Sequence, residues 1–246
     1  MTIPEMDKQF DILYDNISSN QSAGINKFEK SVLFTKAQDD LVREIYSPFN
    51  RHQQSFESSE NRRTELKELI KSYSSATVVA GDGISSDSKF FAIPDDVYYI
   101  IQEEVQLSSN DTCTNAYTAK VVPITHDEYN IQKDSPFRKP NKRRAWRMDI
   151  SEINGNNTVE IITPFNIASY KMRYIKKPRA IIFSDFESDP ELEGMGLTVG
   201  GLNTITECEL REEFHNNIVD RAVELAIRGY RENTLQANVE LNNRNV

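Results

Sequence analysis

The apolar residues of this 246-residue chain change their period twice, which constrains its fold more than any single motif does. Up to about Tyr73 they recur every three or four positions, as on one face of a helix. From about Ala76 they alternate, as on half-buried strands, and this pattern persists to Phe183. After Thr206 the helical spacing returns. That order predicts an α+β chain, a helical bundle formed by N-terminal and C-terminal helices with a central antiparallel β-rich domain. The expected regions are a helical 1–75, a β-rich 76–184, an acidic and Gly-rich arm 185–205, and a C-terminal helix with a polar tail, 206–246.

Met6, Phe10, Leu13 and Ile17 share one helical face, and "SSNQSAGINK" with Gly24 interrupts it. A longer helix is predicted from about Lys27 to Tyr46, with Leu33, Ala37, Leu41 and Ile45 as its stripe behind Phe28 and Val32. Pro48 ends it, because a proline disfavours helical geometry in the residue before it. Leu66, Leu69, Ile70 and Tyr73 predict a third helix over about Glu57–Tyr73.

In the β region, "ATVVA" and "KFFAIP" read as short strands, and "DVYYIIQEEVQL" alternates as a long one. "AYTAKVVPIT" is its expected hairpin partner across Ser108–Asp111. "AWRMDIS" and "TVEIITP" flank "EINGNN", whose Asn-Gly suits a tight turn, and "SYKMRYIKKPRAIIF" closes the region.

Composition narrows the function classes. Charged residues at 27% are ordinary for a folded chain, and a net charge of −9 disfavours nonspecific nucleic-acid binding while leaving room for a local basic patch. Two distant cysteines, Cys113 and Cys208, do not form a disulfide framework or a zinc-ligand spacing. The start lacks the basic and apolar regions of a secretory signal, and no apolar run reaches membrane-spanning length. The expectation is a soluble protein made in a reducing cytoplasm.

Three stretches carry candidate chemistry. In "TECELREEFHNNIVDRAVELAIRGY", Thr206 and Glu209 have the spacing of a capping box, and Phe214, Ile218, Ala222, Leu225, Ala226 and Gly229 line a wide apolar face. Cys208 and His215 lie within it, yet a helical metal pair needs an i, i+4 spacing and a thiolate nucleophile needs a histidine in contact; packing is the expected role. In "KDSPFRKPNKRRAWRMD", the loop 133–147, Arg138, Lys139, Lys142, Arg143, Arg144 and Arg147 are interleaved with Phe137 and Trp146. Such a loop can contact phosphates, remain solvated, or dock on an acidic surface of a neighbouring copy. Glu187, Asp189 and Glu191 in "SDFESDPELEG" supply that acidic surface. The glycines of "GMGLTVGG" lack a nucleotide-binding plan and read as a flexible arm, and "HDEYN" reads as a helix start. No catalytic, metal or cofactor site is expected.

"FDILYDNISSNQSAGINKFEKSVLFTKAQDDLVREIY", "ITHDEYNIQKDSPFRKPNKRRAWR", "MRYIKKPRAIIF" and the closing "TECELREEFHNNIVDRAVELAIRGY" occur in the order seen in structural virion proteins of crAss-like bacteriophages, and the chain resembles that family over most of its length. The resemblance implies a non-enzymatic ring subunit of the head-to-tail connector or tail, of the portal-adaptor type. Its implied partners are its own copies in a dodecameric ring, the portal and adjacent tail or ring proteins, with passage contact to genomic DNA and no membrane. Its implied location is the virion. The alternative reading is a nucleic-acid-binding protein that uses the loop 133–147.

Overall fold

In the computed structural model the described residues are 1–18, 24–47, 56–108, 117–150, 152–153, 155–190 and 192–230. They form five α-helices and an eight-stranded sheet, an α+β fold divided into two compact units. One unit is Met1–Leu69 together with the chain from Pro178 onward, and the other is Ile70–Lys177.

The first unit contains α1 (Ile3–Ser18), α2 (Lys27–Tyr46), the short α3 (Glu60–Glu65) and α5 (His215–Tyr230), and α5 lies against both α1 and α2. Ile3, Met6, Phe10 and Tyr14 are the buried face of α1. Asn26 starts α2 with a capping box: its side chain accepts from the Glu29 amide, and the Glu29 carboxylate accepts from the Asn26 amide. The buried stripe of α2 is Phe34, Ala37, Gln38, Val42 and Ile45, while the predicted Leu33 and Leu41 are half-buried and Val32 is exposed. Polar side chains on the buried side account for this rotation. Lys30 is buried because Asp7 and Asp11 of α1 hold its ammonium at 2.6 and 2.7 Å. Ser31, Thr35 and Gln38 bond the backbone of residues 179–183: Ser31 Oγ accepts from the Phe183 amide, Thr35 Oγ1 from the Ile181 amide, and Gln38 Nε2 donates to the Arg179 carbonyl.

Those bonds revise the end of the β region. The strand β8 stops at Lys176, and Ala180–Phe183 belongs to the helical unit, where α2 satisfies its backbone groups. The region 185–205 is likewise not a free arm. Phe186, Leu192 and Val199 are buried together with Ala180 and Ile182, and positive-φ glycines such as Gly200 (φ 59°) make the turns.

In the second unit the strands β1 (Ile70–Ser75), β2 (Val78–Val79), β3 (Ser88–Ala92), β4 (Val97–Leu107), β5 (Tyr117–Pro123), β6 (Arg144–Asp149), β7 (Thr158–Ile162) and β8 (Ile167–Lys176) lie in the order β1-β8-β4-β5-β6-β7-β3-β2. Every pair is antiparallel except β5 and β6. The sheet is therefore mixed rather than antiparallel, and the crossover carries α4 (His126–Gln132), started by a Thr125–Glu128 capping box. The predicted third helix is also corrected. Only Glu60–Glu65 is α-helical, and Ile70–Ser75 pairs with β8, so a ladder of long-range backbone bonds overrides a pattern that fits helical spacing. The β4–β5 hairpin forms as expected, with its turn region 109–111 outside the described residues. β6 and β7 also pair, and Gly155 adopts φ 76° in their connection.

Candidate assembly surface

The loop 133–147 divides by burial. Arg138, Lys139, Lys142, Arg143 and Arg144 are exposed, as is Phe137 at 90%. Trp146 and Arg147 lie on β6 and are withdrawn from solvent on opposite faces of the sheet instead. Trp146 is 2% exposed and meets Tyr129 of α4 edge to face at 6.0 Å. Arg147 reaches the buried Glu103 of β4 at 2.8 Å and also approaches Asp149. The Tyr170 hydroxyl donates to the second Glu103 oxygen at 2.5 Å. Burial outweighs the nearby guanidinium and raises the Glu103 pKa above the usual carboxylate range, and burial beside that carboxylate also raises the Tyr170 phenol. Trp146 and Arg147 therefore help to build the sheet that presents the other cations.

Strand register extends the exposed basic cluster with residues far away in sequence. Ser74, Lys171, Glu104, Lys120 and Arg144 are successive partners across β1, β8, β4, β5 and β6. Arg173 occupies the adjacent row, between Ser72 and Gln102. Lys120, Arg144, Lys171 and Arg173 are exposed, whereas their strand neighbours Ala119, Val121, Ala145, Tyr170, Met172 and Tyr174 are buried, so these cations share the outer face. Lys142, in the turn before β6, sits over the Tyr117 ring at 5.1 Å. Sequence reasoning missed Lys120, Lys171 and Arg173. The local signal was their position at polar steps of alternating strands, but only the register collects them.

The acidic candidates lie in the other unit. Glu187 is exposed and accepts from Asn203 Nδ2 at 2.7 Å, Asp189 is half-buried, and Glu191 is outside the described residues. Glu193 is a further exposed carboxylate there.

The segment before α5 differs from its expected form. Thr206 exchanges backbone bonds with Ile182, and the Glu209 carboxylate accepts from the Arg179 amide. The capping box between them is therefore absent: a long-range bridge takes the backbone that the box would have used, and α5 begins at His215 after a 3-10 turn. His215 is buried, its Nε2 3.0 Å from the Leu210 carbonyl. The Cys208 thiol donates to Gln38 Oε1 at 3.3 Å, and burial pushes its pKa up to about 11. Cys113 is outside the described residues. Among the described residues no cluster of three or more His, Cys, Asp or Glu is placed to hold a metal ion, and no helix is long and apolar enough to cross a membrane.

Comparison with known proteins matches residues 1–238 to the family described as phage tail ring protein 3/4. Two curated proteins of Bacteroides phage crAss001 are similar. One, called ring protein 4/5, is 37% identical over 249 residues, covering 99% of each chain. The other, called ring protein 3, is 36% identical over 230 residues, covering 92% of this chain and 95% of the relative. A family match over residues 1–238 and near-complete similarity to two ring proteins of one phage lead to one conclusion: the chain belongs to the phage tail ring protein 3/4 family, the ring proteins of crAss-like phages.

Proposed function

We propose that this chain is a structural subunit of the phage head-to-tail connector or tail, and that its copies close into a homo-oligomeric ring stacked towards the portal. In this reading it is an adaptor. It binds the portal or an adjacent ring protein, lies within the virion, forms a dodecamer and continues the DNA channel. Its role requires no catalysis. The observation that carries the reading is the end-to-end similarity to two proteins both named as rings. The contact of α5 with α1 and α2 supports treating the terminal helices as a bundle, the rigid body of the subunit. Arg138, Lys139, Lys142, Arg143 and Arg144 and the acidic Glu187, Asp189 and Glu191 serve as assembly contacts. The test is symmetry-resolved electron microscopy of intact particles. A closed twelvefold ring of this chain is expected, and its absence from purified virions would overturn the reading.

The exposed cations favour a second reading, in which the loop 133–147 contacts DNA. Binding that falls steeply between low and moderate salt is its signature, and no retention of double-stranded DNA at low salt removes it.

A further inference from the structure

Charge is unequally divided between the two units. Residues 70–177 hold 14 basic and 13 acidic residues, leaving 15 basic and 25 acidic to the rest of the chain, so the helical unit carries all of the net negative charge. The near-neutral unit nevertheless gathers its cations. Lys171, Lys120 and Arg144 stand in one row across β8, β4, β5 and β6, three strand spacings or about 14 Å. Arg173 lies one row away, and Lys142 and Arg143 lie at the turn leading into β6. An open groove of 380 Å³ runs along this face between Ser72, Ser74, Gln102, Glu104, Lys171 and Arg173.

We propose that this sheet face receives the acidic surface around Glu187 and Glu193 of a second copy of the same chain. The proposal rests on the ring reading and names its interface. A ring of identical subunits joins two different faces head to tail, so each copy must carry both halves of a complementary pair. A cationic sheet face on one unit and surplus carboxylates on the other meet that requirement. Glu104, between Lys171 and Lys120, disfavours a continuous phosphate chain, which it would repel at the centre of the row. Discrete carboxylates can seat on the lysines to either side of it. The contact also sets the direction of the ring and weakens as salt screens it.

Paired charge reversal tests this. Purified full-length chain is prepared as K120E/K171E and as E187K/E193K, and oligomer mass is followed by light scattering at low ionic strength. All four positions are exposed, so an unchanged circular-dichroism melt verifies folding. Each variant alone is expected to raise the concentration needed for assembly by at least about tenfold. Mixed one to one, they should form rings again, because an alternating ring restores opposite charges at every junction. Assembly of K120E/K171E at the wild-type concentration would overturn the proposal while leaving the ring reading intact. So would loss of assembly without rescue on mixing. Loss of DNA retention with unchanged assembly would assign the face to nucleic acid instead. A wild-type chain that stays monomeric at every salt concentration would overturn the ring reading, and this interface with it.

Discussion

Arg147 and Glu103 meet at 2.8 Å inside the sheet, from strands separated by β5, and their side chains are 12% and 4% exposed. The Tyr170 hydroxyl completes the cluster from β8. Three strands that are not consecutive in sequence are thus tied by one carboxylate. A buried ion pair of this kind need not stabilise the fold more than apolar residues would, but it penalises any register that leaves one partner alone.

Removing one partner should be costly. Arg147→Met leaves Glu103 buried without its cation and is expected to destabilise the chain by about 3–5 kcal/mol. The double variant Arg147→Met/Glu103→Leu should recover most of that loss. Urea midpoints of the two single variants and the double variant form the cycle that checks it, and simple additivity would contradict the coupling.

The same cluster makes stability depend on pH. Burial raises the Glu103 pKa in the folded chain, so the fold favours the protonated acid. The Glu103 contribution is therefore complete below the unfolded carboxyl value of about 4.3 and fades as pH rises through the raised folded value. Wild type should lose stability relative to Glu103→Gln over that rise. Denaturation of both proteins from acid to neutral pH measures the difference, which should shift against wild type.

Gly83 is held by space rather than by φ. A Cβ there would collide with the Ser88 side chain and lie 2.8 Å from Glu160 Oε1, the oxygen that accepts from the Ile84 amide and the Ser88 hydroxyl. Gly83→Ala is expected to cost about 1–3 kcal/mol, as overpacking does. Gly229, near the end of α5, has nothing within 4 Å, and Gly229→Ala should stabilise by up to about 1 kcal/mol. Thermal melts of the two variants should move in opposite directions.

Cys208 should be chemically quiet. With its pKa pushed up to about 11 by burial, almost no thiolate forms at neutral pH. In a Cys113→Ser background the native protein is expected to react with a thiol reagent at least about 100-fold more slowly than the urea-unfolded chain. Cys208→Ser should leave ring assembly unchanged. Rapid native labelling would show the thiol to be accessible.

Elements coded by neighbouring residues were legible in advance. The stretch Lys27–Tyr46 is a helix to the residue, α4 starts at "HDEYN", and the β4–β5 hairpin follows from alternation, because helical period, caps and turns act over a few positions. The basic loop was half legible. Arg138, Lys139, Lys142, Arg143 and Arg144 are exposed, but Trp146 and Arg147 continue into β6, where alternation sends Trp146 under α4 on one sheet face and Arg147 to Glu103 on the other.

By itself, the sequence determined the kind of element along most of the chain, the excess of negative charge and the family to which the chain belongs, because these reside in local patterns and in residue identity. Tertiary structure alone decided which segments pair. It turned Ile70–Ser75 from a helical pattern into an edge strand, set β5 parallel to β6, moved Arg179–Phe183 onto the polar side chains of α2, and aligned Lys171, Lys120 and Arg144 in one row. Those outcomes depend on backbone hydrogen bonds and burial between residues tens to more than a hundred positions apart, where no local period carries information.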